Sequence, residues 1–347
     1  MKRQVILIGR INQGHLPIGG ETAKNQALLE VLSKYCRVTA LDFYRNRQRP
    51  WVYLQTLWAL MSQPSATLIL STTASNIYPL LKAFKLLHIH RNIIHWIIGG
   101  KFDTLVKEGL FNLKVLNVAQ WHLAESKQMA ATLRECGVKG ARYVPNFRTS
   151  PALSHKPTPK SADDTARFVF MSRIMKEKGV GGIITCAARL NAQSYGNRYT
   201  IDFYGQMDKT YEQEFLQAIS HLPNVTYRGV LNLTDTSGYP TLATYHAMLF
   251  PTFHPSEGFA GAIIDAYMAG LPVISSDWNH NREVVKDGKT GIIVPVHDVE
   301  TLSQVMIDII ENRIDLAPMM ENARKESETY QVENVINEKF LKEINVL

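Results

Sequence analysis

The chain is poor in cysteine: Cys36, Cys136 and Cys186 are the only three, they stand far apart, and none forms a C-x-x-C pair. That excludes a disulfide framework and a cysteine zinc site, and it fits a reducing compartment. No stretch approaches 18 uninterrupted apolar residues, so no membrane-spanning helix is expected. The first apolar run is Val5–Ile8, too short for a secretory leader, and it reads as a first β-strand. There is no fixed-period repeat, no low-complexity tract, no G-x-G-x-x-G, no P-loop and no H-E-x-x-H. No D-x-D triplet occurs, so the paired acids of a metal–diphosphate clamp are missing and no metal site is expected.

What is present suits a globular protein of two domains: 347 residues, 45% hydrophobic and 20% charged. Charge is unevenly spread. Residues 1–150 hold 20 Lys and Arg against 7 Asp and Glu, a net +13, whereas residues 151–347 hold 18 against 24, a net −6. A basic first half points to an anionic surface, either nucleic acid or anionic lipid.

Short apolar runs alternate with helical patterns throughout. The expected strands are Val5–Gly9, Val38–Leu41, Thr67–Leu70, Ile93–Ile98, His122–Glu125 and Arg142–Pro145, then Phe168–Ser172, Thr200–Gly205, Val225–Arg228, Ala247–Pro251, Pro272–Ser276 and Gly291–Val296. Continuous rather than alternating hydrophobicity implies strands covered on both faces, and strand–helix alternation implies parallel sheets. The fold class expected is α/β, with two doubly wound, Rossmann-like domains facing a central cleft. The Pro-rich, polar segment Arg148–Arg167 reads as the linker. This places one domain at 1–150, a second at 165–328, and a C-terminal helix at 329–347 that crosses back to the first, with Val332, Val335, Ile336, Phe340 and Ile344 as its buried stripe.

The most informative segment is His254–Pro272. Glu257 precedes a short helix that carries Asp265, with Gly258, Phe259, Ala260 and Gly261 between them. A helix start built of small residues leaves backbone N–H groups free for an anion, and Glu257 beside it suits sugar hydroxyls. Arg173 and Lys178 follow the first strand of the second domain and suit a diphosphate. Gly19-Gly20 precedes the first helix and permits close approach of a ligand to the backbone. His95 lies in Ile93–Gly100, where it reads either as a sugar contact or as a core histidine. Two stretches of the basic half combine cations with apolar residues: Arg45–Trp58, and Ile77–Arg91, where Lys82, Lys85, His88 and Arg91 recur every three residues. Both suit helices lying on an anionic membrane surface.

Taken in order, Ser-Arg173-x4-Lys178-Gly, Phe-Tyr-Gly205, Val-x2-Arg-Gly229, His-Pro-Ser-Glu257-Gly-Phe, Asp265 and Gly291-Ile-Ile-Val resemble the retaining GT-B glycosyltransferases of family four. The resemblance implies transfer of a sugar from a nucleotide diphosphate, UDP being expected, to a glycan acceptor in bacterial surface-polysaccharide assembly. It implies a lipid-linked acceptor such as a polyprenol diphosphate, and a peripheral position on the cytoplasmic face of the membrane. Arg173 and Lys178 would hold the donor diphosphate, and Glu257 the donor sugar, with backbone N–H groups of Phe259, Ala260 and Gly261. Asp265 would hold the ribose, Gly20 would lie by the diphosphate, and His95 by the sugar. Gly205 and Gly229 would flank the base. No cofactor beyond the nucleotide sugar is implied. Two positions depart from the family pattern: Asp265 stands where Glu is usual, shortening its reach, and Ala260 where Gly is common, narrowing the pocket. The alternatives are a same-fold enzyme that uses a soluble acceptor or epimerises a UDP-sugar, and, more remotely, a nucleic-acid-binding protein, for which no binding motif accompanies the charge. The chain is expected to float with anionic vesicles and not to shift a duplex oligonucleotide; tight duplex binding without flotation would reverse the assignment of the basic half.

Overall fold

The computed structural model describes residues 2–17, 19–149, 161, 164–233 and 237–347. Most of the expected linker lies outside the described residues. The chain divides into two compact units: Met1–Thr149 together with Tyr330–Leu347, and Ser150–Thr329.

Unit 1 contains strands β1 (Gln4–Gly9), β2 (Arg37–Asp42), β3 (Thr67–Thr72), β4 (Ile93–Ile97), β5 (Trp121–Ala124) and β6 (Ala141–Tyr143). Its helices are α1 (Gly20–Tyr35), α2 (Trp51–Ser62), α3 (Ala74–Leu86), α4 (Phe102–Lys107), α5 (Leu113–Leu116) and α6 (Lys127–Glu135). The strands form one parallel sheet in the order β2-β1-β3-β4-β5-β6, with Leu7 opposite Ile69 and Leu70 opposite His95. Successive side chains take opposite faces of the sheet. Ile6, Ile8, Leu68, Leu70, Ile93 and Ile97 therefore pack beneath α2 to α6, whereas Val5, Leu7, Ile69, Ile94 and Trp96 pack beneath α1.

The C-terminal segment completes the α1 face. It is two short helices, Val332–Val335 and Glu338–Glu343, in place of the single helix expected. The break falls at Ile336–Asn337, where the Asn337 side chain accepts a hydrogen bond from Phe340 N–H at 3.0 Å and starts the second helix. Val332, Ile336, Phe340 and Ile344 are buried against Leu28, Val31 and Leu32 of α1, and Val335 is partly buried there. Arg148 exchanges backbone hydrogen bonds of 2.9 Å with Tyr330 and Val332, so the outgoing and returning chains are tied together.

Unit 2 contains β7 (Ala166–Met171), β8 (Tyr199–Tyr204), β9 (Val225–Tyr227), β10 (Ala247–Phe250), β11 (Val273–Ser276) and β12 (Gly291–Val294). Its helices are α7 (Val180–Ala192), α8 (Glu212–Ile219), α9 (Tyr239–Leu242), α10 (Gly261–Met268), α11 (Asn281–Val284), α12 (Val299–Ile310) and α13 (Ala317–Ser327). The sheet is parallel, in the order β12-β11-β10-β7-β8-β9. The order reverses between β7 and β10, so the loops leaving these adjacent strands part to opposite sides and leave a crevice at their carboxyl ends. All twelve expected strands are present, each shifted by no more than two residues at either end, as apolar runs long enough to be covered twice require.

The basic stretch 77–91 differs from its expectation. Helix α3 ends at Leu86, His88 takes a left-handed backbone (φ 52°), and Arg91 turns inward to donate to Leu60 O at 3.0 Å. Only Lys82 and Lys85 remain on an exposed helical face.

Two histidines sit inside unit 1. His95 Nδ1 lies 3.1 Å from His122 Nδ1, His122 Nε2 lies 3.1 Å from Leu116 O, and His95 Nε2 lies 3.3 Å from Thr72 O. Two neutral rings carry two protons for these three contacts, so the neutral pair leaves one contact without a hydrogen. Burial drives both imidazoles below their ordinary range, His122 to about 4. A depressed folded-state value means that the unfolded chain binds the extra proton first as pH falls through about 6.5. Stability is thus full above that pH and is lost towards pH 4, by on the order of 3 kcal/mol for His122 alone. Urea unfolding followed from pH 7.5 to 4.5 is expected to show a steep fall below pH 6.5, shallower in His122→Asn; equal slopes would mean that the pair does not titrate on unfolding.

Candidate active site at the switch point of unit 2

The loop after β7 runs through Ser172, Arg173 and a short turn, Lys176–Lys178, into α7. Gly179 has φ +78°, and a Cβ there would come within 2.1 Å of Pro251 O. Only glycine lets this loop lie directly against the backbone leaving β10. That contact places Lys178 against the second loop, Pro251–Ala260. The Lys178 ammonium donates to the Glu257 carboxylate and lies 5.5 Å from the Phe250 ring centre. Both partners are largely buried, Lys178 at 9% and Glu257 at 8% exposed.

Glu257 is held from several sides. Its Oε2 accepts from the Thr252 hydroxyl at 2.9 Å, and its carbonyl accepts from Asn279 Nδ2 at 3.0 Å. Trp278 Nε1 donates to His254 O at 2.8 Å, so the loop after β11 braces the loop that carries Glu257. The chain then enters α10 through Phe259 and Ala260, both buried. Ala260 is the N-cap residue; its carbonyl accepts from the Ile263 N–H at 3.1 Å, but it supplies no side-chain acceptor to the first turn of the helix. Asp265 lies on the same helix, mostly buried, and accepts from the Tyr239 hydroxyl at 3.0 Å.

Arg173 is exposed, and among the described residues no carboxylate pairs with it. Its field still reaches the site. Burial holds the His254 imidazole below its ordinary range, and Lys178 and Arg173 push it the same way while Glu257 opposes them. Gly205 closes the other side of the β7 loop, donating from its N–H to Gly229 O at 2.8 Å. Its φ is +148°, and a Cβ would come within 1.7 Å of Ser172 O, so no other residue fits there.

The structure thus brings Lys178, Glu257, Gly258, Phe259, Ala260 and Gly261 together around one crevice, with Arg173 and Gly205 at its β7 side and Asp265 within α10. Gly20 belongs to unit 1, where it begins α1 and where a Cβ would meet no protein atom within 4 Å. His95 is also in unit 1. It is the middle residue of a central strand, fully buried, with Phe102 edge-on to its ring at 5.2 Å. Sequence reasoning missed Thr252, Tyr239, Asn279 and Trp278, whose roles depend on loops that meet only in the folded unit. Among the described residues no group of three or more His, Cys, Asp or Glu is placed to hold a metal ion.

Residues 154–326 match the family profile described as glycosyl transferases group 1. The chain belongs to the group 1 glycosyl transferases. Curated relatives of this chain include the amylovoran biosynthesis glycosyltransferase AmsK of Erwinia amylovora, 23% identical over 171 residues, which are 47% of this chain and 40% of that protein. Another is the putative colanic acid biosynthesis glycosyltransferase WcaL of Escherichia coli K12, 25% identical over 191 residues, 52% of this chain and 45% of that one. The chain therefore spans less than half the length of these relatives. Among solved structures, Anabaena HepE in complex with UDP-glucose superposes with a TM-score of 0.71 at 14% identity, covering 99% of this chain and 100% of that one. The sucrose-phosphate synthase of Thermosynechococcus elongatus gives 0.70 at 15% identity, with 96% of each chain covered. These likenesses show the GT-B fold.

The Lys178–Glu257 pair makes the site costly to dismantle. Removing one partner strands a buried charge, worth about 3–5 kcal/mol, whereas replacing both by apolar residues is near neutral. Lys178→Met and Glu257→Leu are each expected to lower the stability of unit 2 by about that amount, and the double variant to recover most of it. Denaturant midpoints check this; a double variant no better than the worse single would show that the two side chains are not energetically coupled.

Proposed function

We propose that this protein transfers a sugar from a UDP-sugar to a glycan acceptor in bacterial polysaccharide assembly, with retention of anomeric configuration and without a metal. The observation that carries the reading is the buried Lys178–Glu257 pair, set at the switch point beside the uncapped start of α10. A buried cation, an exposed arginine and helix amides without a side-chain cap supply positive charge where a diphosphate would sit. Arg173 offers a planar fork to it and Lys178 a point charge.

In this reading Glu257, fixed by Lys178 and Thr252, accepts hydrogen bonds from donor-sugar hydroxyls. The amides of Phe259, Ala260 and Gly261 face the same group. Asp265 meets the ribose, its shorter side chain held in place by the Tyr239 hydroxyl. As the glycosidic bond to the diphosphate breaks, negative charge grows on the leaving oxygen, and Arg173, Lys178 and the α10 amides stabilise it without rearranging. The departing phosphate takes the proton of the acceptor hydroxyl on the same face of the sugar, and this gives retention. His95 makes no contact with the sugar in this scheme; it is buried in the middle of β4 against His122 and Phe102. The acceptor is lipid-linked and unit 1 approaches an anionic membrane surface on its cytoplasmic side. Supporting this are the net +13 of residues 1–150 and the exposed apolar face of α2, whose Leu54, Trp58 and Met61 are 71%, 69% and 73% exposed. No helix among the described residues is long and apolar enough to cross a membrane.

UDP is expected to raise the melting temperature of the chain, and GDP to do so less. Saturation at 100 times Kd corresponds to about 2.7 kcal/mol of stabilisation. Arg173→Ala keeps the fold, because the side chain is exposed, and is expected to weaken UDP binding and cut transfer by about tenfold or more, consistent with loss of one charged hydrogen bond. Unchanged UDP affinity in Arg173→Ala would remove this residue from the donor site.

A further inference from the structure

On the α2–α3 face of unit 1, a cavity of about 990 Å³ opens at the carboxyl ends of β1, β2 and β3. Ile8, Leu70 and Ile77 form apolar parts of its wall, and Arg10, Arg45 and Arg47 line it as well. No carboxylate is among its lining residues. Arg10 reaches Glu21 only at 3.5 Å, and among the described residues no acid pairs with Arg45 or Arg47.

The loop after β2 gathers these cations at a cost. Asp42 ties it to the loop after β1, which carries Arg10, by accepting from the backbone N–H groups of Ile11, Gln13 and Tyr44 at 2.9–3.0 Å. The Arg10 and Arg45 guanidiniums both lie over the Tyr44 ring, at 5.6 and 5.3 Å. One aromatic ring thus holds a guanidinium from each of the loops after β1 and β2. Arg45 itself is left-handed, with φ 56° and ψ 35°, a strain of about 1–2 kcal/mol for a residue with a Cβ. An anion in the cavity would offset the charge of the arginines that line it, and guanidiniums suit phosphate oxygens.

The cavity is continuous with an apolar surface. Tyr53 and Thr56 of α2 line it, and Tyr53 is fixed there by Asn46 Nδ2 at 2.9 Å and by an edge-on contact with Phe43. The same helix exposes Leu54, Leu57, Trp58 and Met61. A sugar phosphate would leave that apolar face unused, and a neutral lipid would leave the arginines unanswered. A ligand with an anionic head and an apolar chain satisfies both.

We propose that this cavity seats the anchor of the acceptor: a phosphate or diphosphate held by Arg10, Arg45 and Arg47, with its apolar chain along α2. The site rests on the glycosyltransferase reading for its purpose but is tested apart from it. Titration of the full chain with farnesyl diphosphate, inorganic diphosphate and farnesol, with UDP titrated on the same samples, separates the contributions. Farnesyl diphosphate is expected to bind at least about tenfold more tightly than either fragment. The variant Arg45→Gly/Arg47→Ala, in which glycine accepts the left-handed backbone without strain, is expected to lose about tenfold or more in farnesyl diphosphate affinity with UDP binding unchanged. Leu54→Gln/Trp58→Gln is expected to weaken farnesyl diphosphate and leave inorganic diphosphate as it was. Equal affinity for inorganic and farnesyl diphosphate, or unchanged binding in the arginine variant, overturns the proposal. A chain that binds UDP but not farnesyl diphosphate overturns this site and leaves the donor-site reading standing; one that binds neither overturns both.

Discussion

The contact between Lys178 and Glu257 is the constraint on which the rest of unit 2 depends. It is an ion pair taken out of water between two loops that leave adjacent parallel strands in opposite directions. Desolvation makes such a pair poor as a source of stability, and its value lies in position. Holding it requires the two loops to touch, and touching requires Gly179 against Pro251. Gly205 plays the corresponding part against Ser172 on the other side of β7. The crevice is therefore narrow in backbone and rich in charge before any ligand arrives, which is the kind of preorganisation that makes electrostatic stabilisation of a leaving group effective.

Unit 1 is built on the same parallel-sheet logic but its two faces have different fates. On the α1 face the returning C-terminal segment fills the space, and Lys24 is drawn into it, paired with Glu125 at 2.5 Å and lying over the Trp96 and Phe147 rings. On the other face α2 buries Val52 and Ala59 fully and Leu60 in part, and turns Leu54, Leu57, Trp58 and Met61 outward. In the proposed reading this outward face meets the apolar chain of the acceptor, and the arginines ahead of the helix meet its phosphate.

Much of this was legible in the residues. Twelve apolar runs became twelve strands because a strand covered on both faces has no polar side to interrupt it. Glycines at 179 and 205 and the small residues ahead of α10 marked the loops, since close backbone approach tolerates little else. The His95 environment was not legible. A histidine in an apolar run is compatible with a sugar contact and with a buried pair, and His122 becomes its neighbour only through the β4–β5 register. The end of α3 is not legible for a similar reason: the three-residue spacing of cations continues past Leu86, but the backbone turns left-handed at His88 and Arg91 turns in to donate to Leu60 O.

The sequence by itself determined the architecture and the residue types of the candidate site, because hydrophobic period and backbone permissiveness are local properties carried by neighbouring residues. Tertiary structure alone decided which side chains hold them. Thr252 on Glu257, Tyr239 on Asp265, Asn279 and Trp278 on the loop after β10, and two arginines on one Tyr44 ring are partnerships between segments whose separation in the chain follows no period. Such contacts form only where the strand order brings loop ends to one edge of a sheet, and that order is a property of the folded chain as a whole.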